Sequence, residues 1–271
     1  MLGWNIRMAS DNNIISIKNA KVFLGGKVAL DDFNWQVKAG EHCFILGANG
    51  AGKTTLVKVL MGYAWPVFGA EVEVLGARYG SVNLSELRKN IAWVSPFMQR
   101  WAAGECNALQ MVISGIDGTL GLFRDYTDDE KAKALEIMTS LGCEHVAEQQ
   151  MDAMSSGEQV KILISRALMH EPELMILDEA CVHLDLKSRE LLLETIDAFA
   201  SRKNAPTIIF ITQRIDDILP VFKHGMILKE GRMIAQGQRE EILSEDNLLN
   251  AYDMPVKLKT NSAGRMWPIV E

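Results

Sequence analysis

The segment Gly47-Ala48-Asn49-Gly50-Ala51-Gly52-Lys53-Thr54-Thr55 constrains this chain more than any other. It fits the spacing GxxxxGK[ST], with the apolar run His42–Leu46 before it and Leu56, Val57 and Leu60 at helical spacing behind it, up to Gly62. Strand, glycine-rich loop and helix in that order make an anion cradle. The glycines let backbone N–H groups turn inward, and the helix start adds the positive end of its dipole. Gly47, Asn49, Gly50, Ala51, Gly52, Lys53, Thr54 and Thr55 are therefore candidate nucleotide contacts. Lys53 has the reach for the β- and γ-phosphates, and the Thr54 hydroxyl suits Mg2+. The plainer alternative is a glycine-rich turn with no ligand.

A phosphate cradle does not specify a reaction, and the run Leu174-Met175-Ile176-Leu177-Asp178-Glu179 narrows the choice. Four apolar residues predict a buried strand, and ligands of parallel sheets collect at the carboxyl ends of such strands. Asp178 is then a Mg2+ ligand and Glu179 the base that orients and deprotonates an attacking water. Two acids opening a surface loop would look the same in isolation. With the cradle present, the pair points to hydrolysis.

Strands alternate with helices along the rest of the chain, as in an α/β fold with a parallel core sheet. Ile14–Ile17, Lys21–Phe23 and Phe33–Val37 read as strands, the first two separated at Asn19-Ala20. Pro96 to Met154 reads as mostly helical, with Thr127 and Glu130 spaced as a capping box and a stop at Gly142. A helix over Gln159–His170, the strand Leu174–Leu177, a helix over Ser188–Ala200 and the strand Thr207–Thr212 follow. Met226–Leu228 and Met233–Ala235 flank a hairpin turn at Lys229-Glu230-Gly231-Arg232, and Glu240–Leu243 opens a last helix. From Asp253 to Glu271 the sequence reads as irregular.

Composition excludes several classes. Thirty-five acids against 28 bases leave a net charge of −7, which argues against a dedicated nucleic-acid binder. No apolar run approaches the ~18–20 residues that span a bilayer. The first residues lack the layout of a signal peptide. Cys43, Cys106, Cys143 and Cys181 show no metal or redox spacing, and read as small apolar residues in a reducing cytoplasm.

Met154-Ser155-Ser156-Gly157-Glu158-Gln159 lies one helix upstream of the Leu174 strand. With it the chain resembles the ATP-binding cassette (ABC) ATPases over nearly its whole length, and the hexapeptide looks like a variant of their LSGGQ signature. The resemblance implies a P-loop NTPase with a parallel core sheet, an N-terminal antiparallel β-subdomain and an inserted α-helical subdomain at about 96–165. One domain would span 1–252, followed by a tail at 253–271. It implies ATP and Mg2+ as cofactors, with Lys53 and Glu179 catalytic. It also implies that Ser155 and Gly157 close over the γ-phosphate of a second subunit, so that a homodimer or a second cassette sandwiches two ATPs. A serine N-cap is the alternative for Ser155. Phe23 resembles the aromatic that stacks on adenine, although a core strand aromatic would read the same. Leu184-Asp185 resembles a loop that crosses the dimer interface, and His183 beside it is incidental.

Two positions depart from the family pattern. The glutamine expected directly after the strand Ile91–Val94 is replaced by Ser95-Pro96-Phe97-Met98, leaving Gln99 as the displaced candidate. The switch histidine expected after Thr212 is Gln213, whose amide can donate a hydrogen bond but cannot become cationic. Slowed hydrolysis is the expectation. The resemblance further implies a transporter motor working through separate integral membrane subunits, hence cytoplasmic and peripheral at the inner face of the membrane. Phe97, Met98 and Trp101 would meet that partner or fill a gap beneath the helices. The run from Gly231 to Arg265 loosely resembles ATPases of metal-chelate and molybdate-type importers. A soluble ribosome- or DNA-associated ATPase, or a nucleotide-gated interaction protein with slow turnover, are the alternatives.

Overall fold

The computed structural model describes residues 12–98 and 106–270. Two compact units divide the chain, one formed by Met1–Arg88 with Thr207–Glu271 and the other by Lys89–Pro206.

In the first unit, β1 (Asn13–Leu24) and β2 (Lys27–Lys38) pair antiparallel, and β4 (Glu71–Val74) and β5 (Ala77–Arg78) extend the sheet in the order β2-β1-β4-β5. The predicted break at Asn19-Ala20 is a bulge inside one continuous strand. Pairing slips between Ile17 and Ala20, and Asn19 takes a φ of 52°. Its N–H, displaced from the ladder, donates to Asn34 Oδ1 at 2.8 Å. A polar pair interrupting an apolar pattern looks like a turn in sequence, yet a cross-strand carboxamide lets the strand pass through it.

The second sheet of this unit holds β3 (Cys43–Leu46), β8 (Thr207–Thr212), β9 (His224–Lys229) and β10 (Arg232–Gln238) in the order β10-β9-β3-β8. β3 runs parallel to β8 and β9, whereas β10 folds back antiparallel on β9. The sheet is therefore mixed, its parallel part ending where the Glu230-Gly231 hairpin makes a tight return. Every residue of β3 and β8 is buried, which explains their unbroken apolar runs. α1 (Lys53–Leu60) follows β3, α2 (Leu84–Arg88) follows β5, and α7 (Arg239–Ile242) and α8 (Glu245–Tyr252) follow β10.

The C-terminal residues correct the expectation of an irregular tail. β11 (Val256–Thr260) and β12 (Met266–Val270) form an antiparallel hairpin, with Val256 opposite Val270. Asn261 Oδ1 closes its turn by accepting from the N–H groups of Ala263 and Arg265 at 3.0 and 2.9 Å. Lysines at 257 and 259 and a proline at 268 dilute the strand pattern, as short edge strands commonly do.

In the second unit β6 (Ile91–Val94) pairs parallel with β7 (Leu174–Asp178). The helices are α3 (Ala108–Ile113), α4 (Asp128–Ser140), α5 (Ser156–Leu168) and α6 (Leu186–Ala200). Among the described residues of 96–154, helix covers less than the sequence suggests. Between α3 and α4 the chain is turns, held by the buried Ser114 hydroxyl, which donates to the carbonyls of Met111 and Thr119. The Thr127–Glu130 capping box forms as predicted. Arg124 clamps it by pairing with Asp117 and Glu130 at 2.9 and 2.7 Å, and holds the Glu130 carboxyl down at about 2. Gly115, just past α3, lies so close to α5 that a Cβ there would stand 2.1 Å from the Arg166 carbonyl oxygen. Among the described residues no helix is long and apolar enough to cross a membrane.

Candidate nucleotide site

The loop from Gly47 to Gly52 lies wholly in the first unit and depends on glycine at three positions. A Cβ on Gly47 would meet the Leu228 carbonyl oxygen at 2.6 Å, and one on Gly52 the Ala29 carbonyl oxygen at 2.8 Å. Gly50 and Gly52 take φ values of 81° and 106°, a region costly to residues bearing a side chain. Gly231 N–H donates to the Ala51 carbonyl at 2.9 Å, so the β9–β10 hairpin braces the loop from behind. In sequence Gly231 announces only a turn. Its second role arises from a contact across 180 residues, which no local pattern signals.

Lys53 is 5 % exposed, and its Nζ donates to the carbonyls of Gly47 and Ala48 at 2.8 and 2.9 Å. The ammonium therefore stands over the mouth of the loop, fixed from below by the chain that would surround a phosphate. Thr54 beside it is exposed, while Thr55 turns inward. The start of α1 differs from five other helix starts among the described residues. Asn107, Thr127, Ser155, Asp185 and Ser244 each cap a helix with a side-chain oxygen. Gly52 caps α1 without one, and the first turn of α1 carries no acid. Its leading N–H groups and dipole end are left facing the glycine loop, an arrangement suited to an anionic ligand. The donor set fits a nucleotide polyphosphate.

Gln213 belongs to the same unit. Gly47 N–H donates to the Thr212 carbonyl at 3.4 Å, which brings the end of β8 alongside the loop. The Thr212 hydroxyl donates to Asp217 Oδ2 at 2.8 Å and accepts from Arg214 N–H at 3.0 Å, closing the turn that carries Gln213. Phe23, at the end of β1 in this unit, is 49 % exposed, and Lys21 Nζ stands 5.8 Å from its ring centroid. That exposure favours a stacking surface over a core aromatic.

The second unit holds the other candidates. Asp178 ends β7 at 4 % exposure. Glu179 follows with a φ of 54°, a left-handed conformation costing a non-glycine residue roughly 1–3 kcal/mol. Glu171, Glu230 and Asp253 share that conformation, so what singles out Glu179 is its place directly after the buried Asp178. Ser155 forms a full capping box: its Oγ accepts from Glu158 N–H at 3.3 Å and lies 2.6 Å from Glu158 Oε2. That hydroxyl, helped by the Ser155 N–H and His145 and opposed by desolvation, holds the Glu158 carboxyl below its usual range. A Cβ on Gly157 would lie 3.1 Å from Ser188 Cβ, so this glycine lets α5 start close against α6. His183 is exposed with a φ of 68°, and Asp185 caps α6 through Ser188. The Phe97 ring packs edge-on against Trp93 at 5.1 Å yet remains 43 % exposed. Gln99 and Trp101 lie outside the described residues.

The family model described as ABC transporter matches residues 30–182. The chain belongs to the ABC transporter family. Its similarity extends beyond that stretch: it is 36% identical over 249 residues to the ABC transporter ATP-binding protein YlmA of Bacillus subtilis, covering 92% of this chain and 94% of that one. It is 30% identical over 248 residues to the phosphonates import ATP-binding protein PhnC of Treponema denticola, covering 88% and 96%. Among solved structures, CbiO1 of Clostridium perfringens, part of the ABC transporter complex CbiONQ, superposes with a TM-score of 0.75 at 24% identity, covering 89% of this cassette and 94% of that chain. The cassette is thus an ATP-binding and ATP-hydrolysing subunit of an ABC transporter, and its fold is that of a P-loop NTPase.

Proposed function

We propose that the cassette binds ATP with Mg2+ in the Gly47–Thr55 cradle, pairs with a second cassette around two nucleotides, and drives transport through separate integral membrane subunits. The observation that carries the reading is the start of α1, where glycine-only geometry and uncapped N–H groups meet the buried Lys53. In this reading the loop N–H groups and Lys53 hold the phosphates, and Phe23 stacks on the base. Glu179 receives the proton of the attacking water, while the Gln213 amide donates to an oxygen of the terminal phosphate. The Thr54 hydroxyl and the Asp178 carboxylate are all-oxygen donors that suit a hard divalent cation, and would hold Mg2+. When bound, Mg2+ supplies charge neutralisation at the phosphate oxygens. The chain lies at the inner face of the membrane through its partners, as its whole-length likeness to transporter subunits supports. Affinity purification from solubilised host membranes tests the coupling: an integral membrane protein retained with the cassette supports it, and recovery with ribosomes instead overturns it.

Gln213 favours slow turnover as a refinement. A neutral amide makes a weaker bond to a phosphate oxygen than a cationic imidazole does. Gln213→His is expected to raise kcat by roughly threefold to tenfold in steady-state phosphate release. An unchanged rate overturns this refinement.

Ser155 offers a second test, because capping and phosphate contact make different demands. Aspartate caps a helix as well as serine does, but it adds negative charge where a phosphate is to approach. Made in a Glu158→Gln background, so that no carboxylate faces the new one, Ser155→Asp should leave the melting temperature of that background within about 2 °C and lower its hydrolysis at least roughly tenfold. A variant that hydrolyses ATP normally would leave Ser155 as a cap alone.

A further inference from the structure

The turn that carries Gln213 is held from outside as well as from within. The Tyr252 hydroxyl, at the end of α8, donates to the Gln213 carbonyl at 3.3 Å. Arg265 Nε, in the turn of the C-terminal hairpin, donates to the Asp216 carbonyl at 2.7 Å. Both donors are fixed in their turn. Lys229 ties the end of α8 to β9 by pairing with Asp253 at 2.6 Å. The Arg265 guanidinium lies 5.0 Å from the Trp267 ring centroid, and the buried Arg239 donates to the Gly264 carbonyl. β12 packs on the 3-10 turn Ile215–Asp217, directly downstream of Gln213.

We propose that the segment from α8 to β12 is a positioning brace for the switch turn, with Tyr252 and Arg265 setting where the Gln213 amide stands during hydrolysis. The inference rests on the reading of Gln213 given above. Carbonyl oxygens on both sides of the turn, at 213 and 216, accept from the C-terminal segment, so the backbone between them has little freedom to rotate. A neutral amide must be aimed, since it lacks the long-range pull of a cation. Tyr252 is a dependable donor throughout the working range, because burial raises its hydroxyl to about 12. Neither residue is a catalytic residue, as each acts through Gln213.

The test uses Tyr252→Phe, which removes one oxygen, and Arg265→Met, which keeps a side chain over Trp267 without a donor. Each is compared with the intact protein alone and in a Gln213→Ala background. Each should lower kcat about fivefold, the size expected from one lost hydrogen bond, with KM for ATP and nucleotide affinity within about twofold. Neither should slow the Gln213→Ala protein further, since residues acting through one group are not additive. An unchanged kcat in both, or equal loss in the Gln213→Ala background, overturns the brace. If Gln213→Ala itself hydrolyses ATP at the normal rate, the reading of Gln213 falls and takes the brace with it. Should Arg265→Met fail to fold, Tyr252→Phe decides alone.

Discussion

Glu179→Gln should lower steady-state hydrolysis by about 10²–10⁴-fold, the range a positioned general base supplies. Glutamine keeps the size and the hydrogen-bonding reach of the side chain but cannot take a proton from water. Nucleotide affinity should therefore stay within about twofold, because the groups that grip phosphate (the loop N–H groups and Lys53) belong to other residues. With binding intact and release blocked, ATP and Mg2+ should hold two cassettes together, read as a doubled mass by light scattering. A monomeric mass under those conditions would count against the sandwich arrangement. The left-handed backbone of Glu179 (φ 54°) adds a second expectation. Glu179→Gly should relieve the strain while abolishing hydrolysis, so that melting temperature and activity move in opposite directions.

Gly115→Val is expected to be the most damaging single change to stability. Its Cβ would meet a backbone oxygen, that of Arg166, at 2.1 Å, where no rotamer change can relieve the clash. α3 must separate from α5, opening a contact between two well-packed helices. Such overpacking costs at least ~3 kcal/mol, which in a chain of this size lowers the melting temperature by roughly 5 °C or more. Gly118→Ala, three residues on, is the control. Its φ is 71° but nothing lies within 4 Å of the added carbon, so the cost should be nearer ~1 kcal/mol. Calorimetry of the two variants separates steric clash from backbone preference.

What the sequence made legible was local. The phosphate loop announces itself because three glycines, a lysine and a threonine must follow one another. Thr127 with Glu130 signals a capping box for the same reason, and β3, β7 and β8 stand out because strands buried on both faces need unbroken apolar runs. What stayed hidden in the sequence has the opposite cause. Asn34 rescues Asn19 from the facing strand, Gly231 supports Ala51 from a distant hairpin, and Tyr252 and Arg265 reach Gln213 and Asp216 from the C-terminal segment. Each depends on a partner that only folding brings near. The hairpin of β11 and β12 was obscured differently, since its lysines and proline suit a strand that meets little core on either face.

The glycine cap of α1 ties the cassette's durability to its cargo of energy. Five other helices carry their own side-chain oxygen at the first turn, whereas α1 has none and leaves its leading N–H groups to a ligand. A ligand present at a hundred times its dissociation constant adds about 2.7 kcal/mol to the folded state, a large share of the ~5–15 kcal/mol that keeps a typical protein folded. Added nucleotide should therefore tighten the protein, and its removal should leave a looser one that a protease cuts sooner. Resistance to proteolysis is then expected to track nucleotide concentration without a dedicated sensor.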